Sequence, residues 1–591
     1  MFDDCENLNL LWASIIVEEL IRNGIGYFCI SSGSRSSPLV VAIARNKRAR
    51  SIICYDERGA AFHALGYARA TGKPAVVITT SGTAVANCFP AVIEASMDNV
   101  PLIIISADRP PELQDSMANQ TIDQTHIFGR YARYFFNIPC SSEDIPVQML
   151  TTTIDQAIFR SLANPQGPVH INCMFREPLS PEKRKFSLEH MLPLSNWLSS
   201  GKPYTTYCIP RPYLSEQEIK KIAHMINTAQ NGLLIVGALN QSEKDGVLQL
   251  IKRLKWPVFS DIRSNISPYS SPNIIPYFSL FLSTRSYDID IPLDLVVHVG
   301  GTTVSKHIMQ FVKEMKPKEY IVIKSHPYRQ DFNHISTIQL QADINEFCKR
   351  IIPLIEPKNS ENLGELVNIS NRVKGVLKEL FQDNNEINEA SLAYWLSANL
   401  PNESGLFLSN SMPIRDMDMY AQFKNNVIIA ANRGASGIDG IIASAAGFAV
   451  GLNKLVTLII GDLAFIHDLN SLFFIRNIEP PVIIVLVNNN GGGIFSFLNI
   501  SHYKEISEKY FAVPHNLSSF KEISSLFGLS YFMARDQKDF LEKYKNCVDR
   551  HKAVIVEIPV SRNKNFHFHE LVRLNLRKIW KKKTVDKGTK I

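Results

Sequence analysis

The sequence predicts three α/β domains, each built on a doubly wound parallel sheet. Short apolar runs, typical of buried strands, alternate with helix-like stretches in three separate blocks, and this alternation favours parallel sheets. The chain has 591 residues, which is enough for about three to four domains of ~150 residues each. Its hydrophobic content of 45% is typical of a soluble globular protein.

The first block predicts an N-terminal domain over residues 1–185. Its strand-like runs are GYFCIS, PAVVITT and PLIIISA, and helices are expected near Ser37 to Arg45 and from Ala84 to Ser96. Between about Pro181 and Pro212 the alternation gives way to Pro, Ser, Lys and Tyr, so we expect a linker there.

The other two blocks predict a central domain over residues 205–355 and a C-terminal domain over residues 385–575. Central strands are expected at GLLIVG, PVFSD, LDLVVHVGG and EYIVIKS, and a polar helix from Glu365 to Gln382 separates the two blocks. C-terminal strands are expected at GLFLS, VIIAA, LVTLIIGD, VIIVLVNN and AVIVEIP.

The net charge of +7 is concentrated at the C-terminus. Residues 577–591 hold seven Lys or Arg and one Asp, which gives 7 − 1 = +6 and leaves 7 − 6 = +1 for the rest of the chain. The body of the protein is therefore not basic. We expect a solvated basic tail over 577–591 rather than an arm that binds nucleic acid or a membrane.

Several classes of protein are disfavoured. The nine cysteines form no C-x-x-C pair and no H-E-x-x-H occurs, so neither a disulfide framework nor a zinc site is indicated. The chain does not begin with a basic segment, and the longest stretch without charge or Asn, Gly440 to Leu452, is shorter than the ~18 residues of a membrane span. We expect a cytoplasmic protein.

The segment from Gly461 to Phe495 places an acid and an amide at the ends of two neighbouring strands. Asp462 follows one buried strand and Asn489 follows the next, with a helical stretch between them, which predicts one βαβ unit. Both polar ends then lie at the carboxyl edge of the sheet, where doubly wound folds bind ligands. An Asp, an Asn and a glycine-rich turn suit Mg²⁺ with diphosphate oxygens. A plain surface turn would explain the Asn and Gly residues but not the acid, and both interpretations are open at this point.

Other phosphate-binding motifs are weak in this chain. No G-x-G-x-x-G is present. Gly66 and Gly72 enclose five residues and are followed by Lys73 and Pro74, whereas a P-loop needs four intervening residues and a Ser or Thr after the Lys. Dinucleotide-binding and Walker-type sites are therefore not indicated.

The acid and amide are spaced as in a known cofactor motif. The separation 489 − 462 = 27, with Gly461 before the acid, resembles the thiamine-diphosphate motif of the pyruvate-decarboxylase-like superfamily. This resemblance implies a three-domain thiamine-diphosphate-binding fold. It also implies a Mg²⁺ or Mn²⁺ ion held by Asp462, Asn489 and the backbone oxygen of Gly491.

A narrower resemblance rests on motifs that occur in one order along the chain. Together they are similar to the 2-succinyl-5-enolpyruvyl-6-hydroxy-3-cyclohexene-1-carboxylate synthase family of menaquinone biosynthesis, closely in the first and third domains and only thinly in the middle one. The motifs are SSGSRSSPL (31–39), DERGAAFHALG (56–66), TTSGTAVAN (79–87), SADRPPEL (106–113), NQTIDQ (119–124), NRGASGIDG (432–440) and NNNGGGIF (488–495).

The resemblance implies a reaction and a set of substrate-binding residues. The family decarboxylates 2-oxoglutarate and adds the resulting succinyl carbanion to isochorismate by 1,4-addition. Since both substrates are dianionic, the site should hold several cations. The matching cations are Arg35, Arg109, Lys306, Arg415 and Arg433, and the matching hydrogen-bond donors are Ser34, Asn119, Gln120 and Ser411.

The resemblance also implies which residues surround the cofactor. Glu57 matches the acid that hydrogen-bonds the aminopyrimidine ring, and Ile438 matches the bulky residue that supports the bent cofactor. Ile494 and Phe495 would pack beside it, and Ser411 is expected to reach the cofactor as well. In this family the cofactor is shared between subunits, so a homodimer or homotetramer is implied.

Some positions depart from the family pattern. Ala464 stands where a hydroxyl residue is common, and His307 stands where an Arg is usual. Met117 replaces the usual Gly, and Gly59 replaces the usual Ser. We expect these departures to change substrate affinity more than activity itself.

Three alternatives remain open. The first is a different thiamine-diphosphate-dependent carboligase or decarboxylase that acts on another 2-oxo acid. The second is an inactive paralogue that serves as a scaffold, and the third is a nucleic-acid binder that uses the basic tail. The first alternative differs from the leading hypothesis in which 2-oxo acid the protein uses. The other two predict a protein without catalytic activity.

Overall fold

The structure contains three parallel sheets in succession along the chain. It is a computed structural model that describes residue 2 and residues 5–284, 292–382, 385–517 and 519–586. Residue contacts divide the chain into two units. The first comprises the described residues up to 210 with 432–456 and 464–482, and the second comprises those of 211–431, 457–463 and from 483 onward. The predicted fold class is confirmed.

The first sheet has six strands and lies in the first unit. Its strands are β1 Tyr27–Ile30, β2 Arg50–Ile53, β3 Val76–Thr79, β4 Leu102–Asp108, β5 Tyr134–Ile138 and β6 Pro168–Met174, and the helices of this region are α1 Leu8–Arg22, α2 Ser37–Arg45, α3 Glu57–Thr71, α4 Thr83–Asn87, α5 Phe89–Met97, α6 Gln148–Leu162 and α7 Ser195–Ser200. The strand order is β2-β1-β3-β4-β6-β5, and neighbouring strands run parallel.

Two local expectations for this region need adjustment. The single helix expected over Ala84 to Ser96 is divided into α4 and α5, because Pro90 lies in the first turn of α5, where its missing N–H costs nothing. The expected linker is also partly structured. Leu194 and Trp197 are buried in the core that α1 and α6 form on the first sheet, so the chain after residue 185 still belongs to this layer.

The central sheet has five parallel strands and lies in the second unit. Its strands are β7 Gly232–Val236, β8 Val258–Ser260, β9 Leu295–Val299, β10 Glu319–Lys324 and β11 Ile338–Gln341, and its helices are α8 Glu216–Thr228, α9 Lys244–Leu254, α10 Phe278–Ser283, α11 Lys306–Met315 and α12 Ile344–Ile351. The strand order is β11-β10-β9-β7-β8. The polar helix expected next is α13, Leu363–Gln382.

The third sheet again has six strands, in the order β13-β12-β14-β15-β17-β16. These are β12 Gly405–Leu408, β13 Ile428–Ala430, β14 Val456–Gly461, β15 Val482–Asn488, β16 Ser530–Met533 and β17 Val554–Pro559. The associated helices are α14 Glu389–Asn399, α15 Met412–Tyr420, α16 Ile441–Leu452, α17 Asp462–His467, α18 Leu472–Asn477, α19 Lys504–Ile506, α20 Lys521–Leu526, α21 Gln537–Arg550 and α22 Arg562–Asp586. Most of the expected tail is thus helical backbone, and residues 587–591 lie outside the described part of the chain.

The strand orders place a crevice at the carboxyl edge of each outer sheet. In the first sheet the winding reverses between β1 and β3, and in the third it reverses between β12 and β14. Ligands of doubly wound folds bind at such switch points, because the loops leave the sheet in opposite directions there. The residues after β1, β3, β12 and β14 are therefore the first place to look for a site.

Helices α3 and α16 pack within the first unit with their backbones in contact. An added Cβ at Gly66 would lie 1.9 Å from the backbone oxygen of Ser444, and one at Gly447 would lie 1.9 Å from that of His63. Only glycine fits at such a crossing. The motif containing Gly66 was noted in the sequence, but its packing role was not predicted.

The cysteines and the long helices bear on two further expectations. In the described part of the chain no disulfide joins the nine cysteines. Among the described residues, the longest helices are too polar to cross a membrane.

Candidate active site

The two polar strand ends predicted from the sequence meet at the carboxyl edge of the third sheet. Asp462 follows β14 and is buried, and Asn489 follows β15. One oxygen of Asp462, Oδ2, accepts hydrogen bonds from the backbone N–H groups of Asn489 (3.1 Å) and Gly491 (2.9 Å). The other, Oδ1, accepts from the backbone N–H of Leu463 at 2.7 Å. The acid therefore holds the glycine-rich turn through its backbone.

The turn after β15 has a backbone that favours glycine. Asn490 and Gly491 have positive φ values of 57° and 117°. An added Cβ at Gly491 would lie 1.9 Å from the backbone oxygen of Ala512, so no other residue fits there. At Gly461, by contrast, an added Cβ would meet no described atom within 4 Å, which leaves open space beside Asp462.

The side chain of Asn489 is held at one end only. Its Nδ2 donates to Glu389 Oε1 at 2.8 Å, whereas its Oδ1 is buried and has no hydrogen-bond partner in the described chain. Leaving a buried acceptor unpaired costs about 1–3 kcal/mol. An amide oxygen in this state, next to a carboxylate, fits a hard cation such as Mg²⁺.

His515 is a site residue that the sequence did not indicate. Its Nε2 lies 3.1 Å from Asp462 Oδ2, and its Nδ1 accepts from the backbone N–H of Leu517 at 3.0 Å. Because Nδ1 is an acceptor, the ring proton is on Nε2 and is donated to Asp462. His515 follows Asp462 by 53 residues, and nothing in its neighbourhood resembles a binding motif.

A pair of buried acids lies behind Asn489. Glu389, at the start of α14, and Asp416, in α15, are both buried and line the same small cavity. Burial raises the pKa of both groups. His569 Nε2 lies 3.3 Å from Asp416 Oδ1, and burial lowers the pKa of His569 to about 3, so this imidazole is neutral. Both carboxyl groups therefore favour the protonated form more than an exposed acid does.

The predicted residues after β12 lie at the same switch point. Ser411 has a positive φ of 73° and precedes α15, and the Arg415 guanidinium donates to the backbone oxygen of Ser411. Burial lowers the pKa of Arg415. Lys306 is exposed at the first position of α11, beyond β9 of the central sheet. Ser411 and Arg415 are thus brought together, whereas Lys306 belongs to a different sheet.

The predicted apolar residues follow the turn directly. Ile494 and Phe495 lie in one turn of 3₁₀ helix over Gly493–Phe497, and both are partly exposed. The Phe495 ring packs at 5.1 Å from that of Phe511. Partly exposed apolar groups beside a polar turn suit contact with a cofactor ring.

In the first unit, Glu57 is the first residue of α3 and is half-buried. Its Oε2 accepts from Asn87 Nδ2 at 3.2 Å. The adjacent Arg58 donates to the backbone oxygen of His467 at 3.0 Å and lies 3.9 Å from Asp468. Asn87 belongs to one of the motifs noted above, although no role for it was predicted.

The predicted cations Arg35 and Arg109 lie at the carboxyl edge of the first sheet. Arg35 follows β1 and is buried, and its Nη1 donates to the backbone oxygen of Phe175 at 2.8 Å. Its Nε is buried without a hydrogen-bond partner in the part of the chain the structure describes. Burial and the nearby charge of Arg109 lower the pKa of Arg35. The exposed carboxylate of Glu177 lies 3.7 Å from Arg35 Nη2, and two nearby cations with an unpaired N–H beside this one acid favour an anion.

The loop after β4 joins this group. Arg109 donates to the backbone oxygen of Asn119 from Nε (3.1 Å) and Nη2 (2.7 Å). Asn119, Gln120 and Ser34 are all exposed, and Met117 is fully exposed, so these side chains are available to a ligand. The loop is held by its backbone and not by the predicted donor groups.

The loop that carries Arg433 and Ile438 is fixed by an acid that the sequence did not indicate. Glu94, on α5 of the first unit, accepts from the backbone N–H groups of Gly434 (2.7 Å) and Ala435 (2.6 Å). Glu94 is buried, and Arg69 donates to it at 2.7 Å. Ile438 is 37% exposed. The loop is thus anchored before its apolar residue.

The predicted residues form two groups. The second unit holds Ser411, Arg415, Gly461, Asp462, Asn489, Gly491, Ile494, Phe495 and, on the central sheet, Lys306, and the first unit holds Ser34, Arg35, Glu57, Arg109, Asn119, Gln120, Arg433 and Ile438. The described residues contain no cluster of three or more His, Cys, Asp or Glu side chains that could hold a metal. The expected metal site has one acid, one amide and one backbone oxygen, so it is not a cluster of that kind.

Family models match most of the chain. Residues 12–127 match the N-terminal TPP binding domain of thiamine pyrophosphate enzymes, residues 189–408 match a middle domain of thiamine pyrophosphate enzymes, and residues 417–558 match their C-terminal TPP binding domain. Thiamine pyrophosphate, or TPP, is another name for thiamine diphosphate. Thiamine diphosphate is therefore the cofactor class of this chain.

The most similar proteins found share one description, 2-succinyl-5-enolpyruvyl-6-hydroxy-3-cyclohexene-1-carboxylate synthase. The protein of Rubrobacter xylanophilus is 41% identical over 97% of this chain and 99% of its own length. The protein of Pelodictyon phaeoclathratiforme is 40% identical over 96% of each chain. Among solved structures, benzoylformate decarboxylase from Polynucleobacter necessarius aligns with a TM-score of 0.73 and 14% identity over 93% of this chain and 98% of that one, and so shows the same fold.

Proposed function

The chain belongs to the 2-succinyl-5-enolpyruvyl-6-hydroxy-3-cyclohexene-1-carboxylate synthase family of thiamine-diphosphate enzymes, and we propose that it joins 2-oxoglutarate to isochorismate with loss of CO₂. Decarboxylation of 2-oxoglutarate is followed by 1,4-addition of the succinyl carbanion, which makes the protein a transferase of menaquinone biosynthesis. The identity to relatives over nearly the whole chain supports this reaction.

We propose that Asp462, Asn489 and the backbone oxygen of Gly491 hold a Mg²⁺ or Mn²⁺ ion that binds the diphosphate. The observation that carries this proposal is the buried, unpaired Oδ1 of Asn489. When bound, thiamine diphosphate supplies the carbon nucleophile and accepts the electrons released with CO₂. Open space at Gly461 gives the diphosphate room to approach the main chain.

We propose the remaining cofactor contacts from the family resemblance. Ile438, Ile494 and Phe495 would shield the rings from water and orient them, and Ser411 would donate a hydrogen bond. Glu57 would hydrogen-bond the aminopyrimidine ring through one carboxyl oxygen, while Asn87 holds the other, Oε2.

The cations bind the carboxylates of the two substrates. The charge of Arg109 acts on Arg35, and the unpaired Nε of Arg35 supports an anion there. Lys306, Arg415 and Arg433 supply further positive charge, which stabilises charge that develops on the acceptor carboxylate during the addition. The donors Ser34, Asn119, Gln120 and Ser411 orient the substrates.

We also infer a homodimer or homotetramer, since the family resemblance implies that Glu57 and Asp462 act on one cofactor from two subunits. A cytoplasmic location stays a prediction. Sedimentation at several protein concentrations measures the assembly, and a strictly monomeric, fully active protein would contradict it.

The assay for the proposed function uses purified protein with Mg²⁺, thiamine diphosphate, 2-oxoglutarate and isochorismate. The expected result is CO₂ release with stoichiometric formation of the succinylated adduct. Replacing 2-oxoglutarate by pyruvate should abolish turnover, and CO₂ release from pyruvate alone would instead identify a different carboligase or decarboxylase. No turnover with either acid would leave the scaffold hypothesis.

A further inference from the structure

We propose that Glu389 is a positioning residue that turns the oxygen of the Asn489 amide toward the divalent cation. This inference rests on the proposed function, because the cation is part of it. Glu389 itself need not touch the cation, the cofactor or the substrates. Its role is to determine which end of one amide faces the ligand.

The contact that carries the inference is the hydrogen bond from Asn489 Nδ2 to Glu389 Oε1, at 2.8 Å. An amide has a donor end and an acceptor end, and only the oxygen can bind a metal ion. When the nitrogen is held by Glu389, the oxygen must point away from it. That oxygen is buried and unpaired in the described structure, so it is available to a cation.

Glu389 is itself held in place. It is 5% exposed, and its backbone N–H donates to Asn565 Oδ1 at 3.1 Å. Asn388 caps the start of α14 by accepting from the backbone N–H of Ser391 at 2.8 Å. The Glu389 side chain also lines the same small cavity as that of Asp416. The fold therefore fixes the Glu389 carboxyl group, which accepts from Asn489, before any ligand binds.

The backbone at Gly493 lies close to the side-chain amide of Asn489. An added Cβ at Gly493 would lie 2.7 Å from Asn489 Nδ2 and 3.6 Å from Glu389 Oε1. The amide is thus confined between the acid and the backbone of the following turn. Such outer partners usually set metal affinity, and their loss typically costs about 10–100-fold.

A purely structural role for Glu389, as the partner of Asp416, predicts different behaviour. Asp416→Asn disturbs the acid pair but leaves the bond between Glu389 and Asn489 in place. Glu389→Gln keeps an oxygen that accepts from Asn489 and places an amide N–H toward Asp416. Glu389→Ala removes the acceptor. The three variants therefore separate the orientation of the amide from the stability of the acid pair.

The experiment is an electron paramagnetic resonance titration of Mn²⁺ into full-length protein with saturating thiamine diphosphate. We expect Glu389→Ala to weaken Mn²⁺ binding about 10–100-fold. Glu389→Gln and Asp416→Asn should stay within about twofold of the original protein. In an Asn489→Ala background, Glu389→Ala should add no more than about twofold, because the amide it orients is gone.

Two results would overturn the inference: undiminished Mn²⁺ affinity in Glu389→Ala, or an equal loss with and without Asn489. If Glu389→Ala does not fold, Gly493→Ala tests the same amide, and unchanged affinity there would also overturn it. Failure of the proposed metal site looks different, since Asn489→Ala alone would then bind Mn²⁺ as tightly as the original protein.

Discussion

Asp462→Asn should loosen the turn after β15 even before any ligand binds. The carboxylate accepts three N–H groups on Oδ2, from Asn489, Gly491 and His515, and one on Oδ1, from Leu463. An Asn side chain has a single oxygen, so in its better orientation the amide nitrogen faces the Leu463 N–H. The N–H groups of Asn489 and Gly491 then meet a neutral acceptor instead of a charged one, which costs about 1 kcal/mol for each bond and about 2 kcal/mol for the turn.

Hydrogen exchange measured by mass spectrometry on peptides covering residues 486–495 tests this value. Exchange of the Asn489 and Gly491 amides should become roughly 30-fold faster, which is that free energy converted to a ratio. The control is Asp343→Asn, since Asp343 caps α12 by accepting from Glu346 and Asn caps a helix as well as Asp does. Unchanged exchange in Asp462→Asn, or equal acceleration in the control, would refute the reasoning.

Three other perturbations have defined outcomes. Burial and a hydrogen bond with Asp155 raise the pKa of Glu19 from 4.5 to about 8, so the folded protein keeps a proton that the unfolded chain releases. The free energy of unfolding should therefore fall as the pH rises from about 4.5 to 8. In thermal melts, Glu19→Gln should flatten that fall. Gly447→Ala should destabilise the protein by about 1–3 kcal/mol, because the added methyl group clashes with the His63 backbone. Gly375→Ala, in open space within α13, should stabilise the protein by about 0.5–1 kcal/mol. Equal unfolding midpoints for the two variants would contradict both predictions. Glu94→Ala should raise KM for isochorismate about tenfold, corresponding to about 1.4 kcal/mol, with little change in thiamine-diphosphate affinity, because it frees the Arg433 loop. Asp98→Asn changes another acid that is bonded to Arg69 and should leave KM unchanged, and an equal effect of the two would point to Arg69 instead.

Much of the fold was predictable because strands and their carboxyl ends have local signatures. The apolar runs before Asp462 and Asn489 predicted β14 and β15, and the polar residues after them predicted a site at one sheet edge. The helical stretch expected between them is present and is divided into α17 and α18. Strand β16 was missed, since SYFM is short and three of its residues are only partly buried.

The site residues that were missed come from segments far away in sequence. Glu389 follows a capping Asn and looks like any acid in the first turn of a helix, and its contact with Asn489 spans 100 residues. Glu94 lies within a short helix, and its two bonds to the Arg433 loop cross 340 and 341 residues. His515 has no motif around it. Long-range contacts of this kind leave no periodicity or spacing that a single sequence can display.

The most direct test is a calorimetric titration of thiamine diphosphate into the original protein and into Asp462→Ala, each with Mg²⁺ and with a chelator. If a divalent cation joins the diphosphate to Asp462 and Asn489, only the original protein with Mg²⁺ should bind the cofactor tightly. Binding that is equally tight with the chelator, or equally tight in Asp462→Ala, would show that no metal at this edge of the third sheet holds the cofactor.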